Sequence, residues 1–235
     1  MDKQELRERI WDELEESGEA RFPYPPHGRI PNFAGADDAA ERLSKLDAWQ
    51  AADVIKSNPD SPQLPVRRRA LREGNTVYMA VPRLREAECF VELDPEVLDD
   101  TDAAATVSGM DDHGRQVAPD AMPGIDLVVS GSVAVDESGN RVGKGEGYSD
   151  LEWGVLSELG LVDPGTHVVT TVHELQVREE DWETGTHDVP MGLVVTPERT
   201  IETGASGKPS GIDWTALENH RIDEIPVLRR TSRRE

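Results

Sequence analysis

The chain holds a single cysteine, Cys89, so no intramolecular disulfide can form and no metal centre can be built on clustered thiolates. Aromatic residues make up 5% of the 235, which leaves aliphatic side chains to fill most of the core. Lysine is scarce: it occurs at positions 3, 45, 56, 144 and 208, and every other base is arginine. No stretch approaches the ~20 consecutive apolar residues that span a bilayer. The first segment, MDKQELRERIWDELEESG, is charged throughout, unlike a secretory signal. These absences predict a cytoplasmic protein with no membrane partner.

Positive charge is also in deficit. There are 25 Lys+Arg against 47 Asp+Glu, a net charge of −22. The pI is near 4.6 and the mean hydropathy is −0.57. Such an acid excess disfavours a nucleic-acid partner. The one basic cluster, LRRTSRRE at the C-terminus, reads as a solvated tail. Acid excess with arginine as the main base predicts a halophilic protein. At molar salt the Debye length falls to roughly 3 Å and self-repulsion is screened, while the excess charge preserves solubility. The length fits one domain over residues 1–235, expected as a monomer or a weak homo-oligomer.

Apolar spacing predicts a helix over residues 2–17, with Leu6, Ile10, Trp11 and Leu14 on one face. RFPYPPHGRIPNF is too rich in proline and glycine for a helix or a central strand, and reads as an ordered loop. Helical spacing returns over 36–48. KSNPDSPQLPVRRRALREG reads as a turn and then a helix ending near Gly74. TVYMAVP and ECFVELD read as strands. Residues 99–124 give weak structural signals. Strands are also expected in IDLVVSGSVAVDESGN, THVVTTVHELQV and MGLVVTPERTIET, with helices after Ser149 and in DWTALENHRI. Strands alternating with helices predict an α/β layered fold with a mainly parallel sheet.

The segment GNRVGKGEGYSD spaces Gly143, Gly145 and Gly147 two apart, after an apolar run and before a helix. Glycines let a backbone curl and aim its N–H groups at an anion. A helix N-terminus directly after the loop adds its dipole. Arg141 and Lys144 supply positive charge there. The spacing is neither a Walker A loop nor a dinucleotide fingerprint. A ligand-free glycine hairpin explains the pattern as well as a phosphate cradle does.

Three further readings stay open on spacing alone. Asp150 lies in the first turn after the loop, where Asp more often caps a helix than holds a metal. Asp188 stands just before an apolar strand, as a loop acid or a Mg²⁺ ligand. Lys3 and Arg7 share a helix face, which is either solvated beside Glu5 and Glu8 or aimed at a polyphosphate. His167 and His173 flank a strand without metal spacing and read as structural.

The stretch DLVVSGSVAVDESGNRVGKGEGYSDLEWG resembles the signature of the 5-formyltetrahydrofolate cyclo-ligase family, also called methenyltetrahydrofolate synthetase. Asp136, Gly139, Arg141, Gly143, Gly145, Gly147, Tyr148 and Asp150 match it in order. Lys3 and Arg7 match the family's N-terminal helix pair, and Asp188 with VVTPE matches its late acid before a strand. GSVAV, VHELQV, PSGIDW and IPVLR are similar to a divergent branch of domain-containing relatives. The likeness is firm over roughly 75–235 and thin over 18–70, within the divergent N-terminal part, 1–74.

The resemblance implies a three-layer α/β sandwich. It implies an ATP- and Mg²⁺-dependent conversion of a small folate, 5-formyltetrahydrofolate, to 5,10-methenyltetrahydrofolate. It assigns Arg141 and Lys144 to catalysis. Lys3, Arg7, Gly143, Lys144, Gly145, Glu146, Gly147 and Tyr148 would hold ATP, Tyr148 would also contact substrate, and Asp150 and Asp188 would hold Mg²⁺. Two departures stand out. Ser149 replaces a second Tyr, and NPDSPQLPVR lies where the family's folate-contacting Glu is expected. The alternatives are an ATP-binding relative with another substrate, or a non-catalytic binding module of the same fold.

Overall fold

The structure is a computed structural model that describes residues 1–231. Helix α1 (Lys3–Glu16) begins where Asp2 caps it, Oδ1 accepting from the N–H of Gln4 at 2.8 Å and of Glu5 at 3.2 Å. Leu6, Ile10, Trp11 and Leu14 form its buried stripe, as their spacing predicts. The proline-rich loop that follows is tied down. Strands β1 (Ala20–Arg21) and β2 (Asn32–Phe33) pair antiparallel, and the Trp11 indole donates to Arg29 O at 3.0 Å.

The helix expected over 36–48 is two helices, α2 (Ala36–Ser44) and α3 (Asp47–Gln50). Leu46 is extended between them, so it starts the second rather than continuing the first. The chain then forms β3 (Val54–Ser57), α4 (Leu64–Glu73), β4 (Thr76–Ala80) and β5 (Phe90–Leu93). Helix α4 stops at Gly74, whose φ of 95° suits glycine. Residues 99–124 are more ordered than their sequence suggests, with α5 (Thr101–Ala104), α6 (Val107–His113) and β6 (Arg115–Val117). Caps replace apolar periodicity there. Asp100 accepts from the N–H of Asp102 and Ala103, and Thr106 from that of Gly109.

The second half supplies β7 (Leu127–Val129), β8 (Ala134–Asp136), β9 (Arg141–Val142), α7 (Tyr148–Glu158), β10 (His167–Thr171), β11 (Val177–Arg178), β12 (Leu193–Val195) and β13 (Thr200–Glu202). Helices α8 (Asn219–Glu224) and α9 (Pro226–Thr231) follow, so the last helix expected in DWTALENHRI starts late in that segment.

Among the described residues eight strands form one sheet, in the order β13-β12-β10-β7-β3-β4-β5-β6. The inner strands β12, β10, β7, β3 and β4 run parallel, while the pairings β12–β13, β4–β5 and β5–β6 are antiparallel. Strands β11, β8 and β9 make a second, small sheet, so the two apolar runs of residues 126–140 belong to different sheets. Successive residues of β3 and β7 are buried. Neighbours in a strand point to opposite faces, so both faces of the sheet are covered. The architecture is α/β with a large, mainly parallel central sheet. Helix α2 packs on α4 and against β10 and β12, and α7 packs on α9.

Strand β3 escapes the apolar pattern because Lys56 and Ser57 interrupt it, yet it sits at the middle of the sheet. From β3 the chain moves to β4 on one side, then returns to place β7 on the other. That reversal makes a topological switch point, where a crevice opens outside the carboxyl ends of the strands.

Candidate functional site

A cavity of about 420 Å³ lies at this crevice. Its walls come from Asn58–Asp60 after β3, from Ala80 and Val81 at the end of β4, and from Gly131 after β7, closed by α1 and the glycine loop.

Two of the three bases of α1, Lys3 and Arg7, reach it. Lys3 Nζ lies 2.7 Å from Asp188 Oδ2, and Arg7 Nε donates to Gly143 O at 2.7 Å. They face the cavity and not Glu5 or Glu8. Between β9 and α7, Gly145 (φ 106°) and Gly147 (φ 68°) take left-handed conformations that curl the loop. Among the described residues no acceptor is hydrogen-bonded to the N–H of Lys144, Gly145, Glu146 or Gly147. Helix α7 begins directly after Gly147 with no side-chain cap. Asp150 therefore does not cap it.

Arg141 is the anchor of the site. Its NH1 donates to Gly131 O at 2.9 Å, and its NH2 lies 2.7 Å from Asp150 Oδ2. The two side chains are 6% and 12% exposed, so this pair is shielded from solvent and holds its geometry. Asp150 Oδ1 accepts from Val189 N at 3.0 Å, so both of its oxygens are engaged.

Lys144 Nζ lies 2.9 Å from Glu146 Oε2, and Arg83 NH2 lies 3.2 Å from Oε1. The Lys144 hydrogen bond, helped by Arg83, holds the Glu146 carboxyl below its ordinary value. The Tyr148 ring carries the Arg221 guanidinium 4.9 Å from its centroid, and Arg221 also donates to Glu146 O. Ser149 Oγ faces Ser130 Oγ at 3.3 Å, across from the end of β7.

Asp188 Oδ2 accepts from Lys3 and, at 2.9 Å, from Gly185 N. Burial pushes this carboxyl up, but the Lys3 and Gly185 hydrogen bonds and the charges of Lys3 and His187 outweigh it and hold it down. Among the described residues no group of three or more His, Cys, Asp or Glu is arranged to hold a metal. Mg²⁺, however, takes one or two carboxylates and fills its other positions with phosphates and water. Asp150 and Asp188, on the walls of one cavity, fit an ion that arrives on a polyphosphate. They do not fit one held by protein alone.

Several site residues escaped sequence reasoning. Lys56 is buried and ion-paired with Glu152, and its Nζ donates to Asn58 Oδ1 at 2.9 Å. Glu152 reaches the cavity wall. The signal was available: a lysine inside an apolar strand of a lysine-poor chain, and a glutamate on the apolar face of α7. Arg67 is buried and donates to the carbonyls of Asn58, Asp60 and Ala105, which fixes the 58–60 loop. Burial pushes its guanidinium down to about 9. Burial also raises the Asp60 carboxyl, against the opposing charges of Lys144, Arg67 and Lys56. His167 is exposed, whereas His173 Nδ1 accepts from Leu175 N at 3.2 Å and so caps a short turn.

Sheet order and crevice define an α/β protein with a large, mainly parallel sheet and a cavity walled by the glycine loop at its switch point. Residues 1–197 match the 5-formyltetrahydrofolate cyclo-ligase family, and the chain belongs to that family. It is 41% identical over 239 residues to the methenyltetrahydrofolate synthase domain-containing protein of Bos taurus, covering 97% of this chain and 61% of that one. It is 42% identical over 245 residues to the protein of that name from Mus musculus, covering 100% of this chain and 64% of that one. The chain thus spans less than two thirds of the length of these relatives. The NMR structure of Aquifex aeolicus 5,10-methenyltetrahydrofolate synthetase superposes with a TM-score of 0.53 at 18% identity, covering 94% of this chain and 98% of that one. That likeness is one of fold.

Proposed function

We propose that this chain is an ATP- and Mg²⁺-dependent cyclo-ligase that converts 5-formyltetrahydrofolate to 5,10-methenyltetrahydrofolate. The observation that carries the reading is the convergence of Arg7, Arg141 and the undonated loop N–H groups on one cavity. The formyl oxygen attacks the γ-phosphoryl group and ADP leaves. N10 of the folate then captures the activated carbon, and phosphate leaves with the formyl oxygen. Such phosphoryl transfer rests on positioning and charge neutralisation. Lys3, Arg7, Arg141 and Lys144 neutralise phosphate charge, the backbone of residues 143–148 cradles it, and Tyr148 contacts the bound ligands. Asp188 and Asp150 would hold Mg²⁺, whose bound charge offsets that of the phosphates. Residues from Lys3 of α1 to Asp188 line this cavity, and Arg221 stacks on Tyr148 at its wall, which supports the reading of the chain as one domain.

A second reading is an ATP-dependent relative that acts on another substrate. The Ser149–Ser130 contact favours it, because a hydroxyl pair stands where an aromatic wall would grip a ring. The test is absorbance of the methenyl product in high-salt buffer with 5-formyltetrahydrofolate, ATP and Mg²⁺, with Arg7→Ala as control. The proposal expects an ATP-dependent rise, reduced in the variant. Folded protein that binds ATP without a rise points to the second reading. Folded protein that binds no ATP points to a non-catalytic module.

A further inference from the structure

A smaller cavity of about 110 Å³ adjoins the main one and shares Gly147, Asp150 and His187 with it. Its near wall is Leu151 and Gly154 of α7. Its far wall, from Gly211 to Arg221, lies beyond residue 197, where the match to the family ends.

This far wall is built onto the site. The Trp153 indole donates to Pro209 O at 2.8 Å, and Ile212 N donates to Glu158 Oε1 at 3.1 Å. The segment lies so close to α7 that a Cβ on Gly154 would sit 3.0 Å from Ile212 Cγ1. Arg221 joins it to the glycine loop through Tyr148 and Glu146 O.

The lining defines the guest. Leu151, Ile212 and Leu217 are apolar. Asp213 is a pre-set acceptor: Oδ1 takes the N–H and hydroxyl of Thr215 at 3.1 and 2.7 Å and the N–H of Ala216 at 3.2 Å. Its Oδ2 takes the Thr186 hydroxyl at 3.3 Å, a long bond that leaves this oxygen able to accept again. Apolar walls beside a fixed carboxylate acceptor suit a flat ring that carries N–H donors. The main cavity alone, near the lower end of the ~300–1,000 Å³ range of ligand pockets, is small for a nucleotide beside a second substrate.

We propose that this annex binds an amino-substituted nitrogen heteroaromatic ring whose anionic remainder occupies the main cavity. The anionic half rests on the function proposed above, and the ring site does not. Two sources share the ring chemistry: the purine of ATP and the pterin of the folate. Ala216 is exposed on the annex wall, so Ala216→Trp fills the space without disturbing the core.

Calorimetry on the full chain would compare ATP, 5-formyltetrahydrofolate and inorganic tripolyphosphate. The expected result is at least tenfold weaker binding of one ring-bearing ligand by Ala216→Trp, with tripolyphosphate within twofold of the parent. Loss on ATP identifies the purine, and loss on the folate identifies the pterin. Asp213→Asn, which keeps the shape and removes the charged acceptor, should weaken the same ligand. Unchanged binding of both ring-bearing ligands by Ala216→Trp overturns the proposal. If the parent binds none of the three, the proposed function fails, and amide shifts with adenosine or a free pterin decide the annex. Shifts centred on Ile212–Leu217 support it, and their absence overturns it.

Discussion

Arg7, on the second turn of α1, donates its Nε to the carbonyl of Gly143, 2.7 Å away and 136 residues along the chain. One bond thus ties the first helix to the glycine loop and leaves the guanidinium beside the cavity. Burial lowers the proton affinity of Arg7, partly offset by Asp2, yet the group stays charged at any physiological pH.

Arg7→Ala should therefore weaken binding of ATP or inorganic tripolyphosphate by about tenfold to a hundredfold, since a hydrogen bond to a charged group contributes about 1.5–3 kcal/mol. The side chain is only half-buried, so the melting temperature should fall by no more than a few degrees. Calorimetry beside a thermal melt checks both. A large drop in melting temperature with unchanged binding would make Arg7 a fold residue only.

Arg141 and Asp150 should behave differently, because both are largely shielded. Asp150→Asn leaves a guanidinium without its counter-charge, at a cost of about 3–5 kcal/mol for a buried pair. At roughly 2–4 °C per kcal/mol for a chain of this size, the melting temperature should drop by about 10 °C. The double variant Arg141→Met, Asp150→Leu should recover part of that stability and bind no polyphosphate. Full recovery of binding would sink the role of Arg141 at the phosphates.

Two acids of the site should give opposite pH signatures. The Asp188 carboxyl is held below its ordinary value, so the unfolded chain binds more protons as the pH falls. Its contribution is present above the unfolded value, ~3.9, and is lost as the pH drops through the folded one. The deficit in melting temperature of Asp188→Asn should thus be largest near neutrality and shrink below about pH 4. Asp60 is raised by burial, so its ionised form opposes folding. Asp60→Asn should melt higher than the parent at neutral pH, and the gain should vanish below about pH 4. Melts of both variants from acid to neutral pH would expose a wrong sign in either.

Salt is the cheapest test of the composition. With a net charge of −22, self-repulsion weakens as the Debye length shrinks from about 10 Å at 0.1 M to about 3 Å at 1 M. The melting temperature should rise with KCl over that range. A fall would overturn the halophilic reading and leave an ordinary acidic protein whose ion pairs outweigh its repulsion.

Local signals determined much of this molecule. The buried stripe of α1 follows from residues spaced one turn apart. The end of α4 follows from a glycine that tolerates positive φ, and the curl before α7 from alternating glycines. These depend on neighbours within a few positions, so a linear reading recovers them. Where short-range signals conflicted it failed, as at Lys56 and Ser57 in β3, at the Asp and Thr caps of residues 99–124, and at Leu46.

Tertiary structure decided the rest. Strand order turned β3, the strand that the linear pattern hid, into one side of the switch point. It brought Lys3 to Asp188, 185 residues away, and Lys56 to Glu152 beneath the cavity. It also settled what Asp150 touches: spacing offered a helix cap, but Gly147 starts α7 and Asp150 instead grips Arg141. Such pairings depend on which strands lie side by side and which faces close on each other. No local run of residues carries that information, because the contacts form only when distant segments share one core.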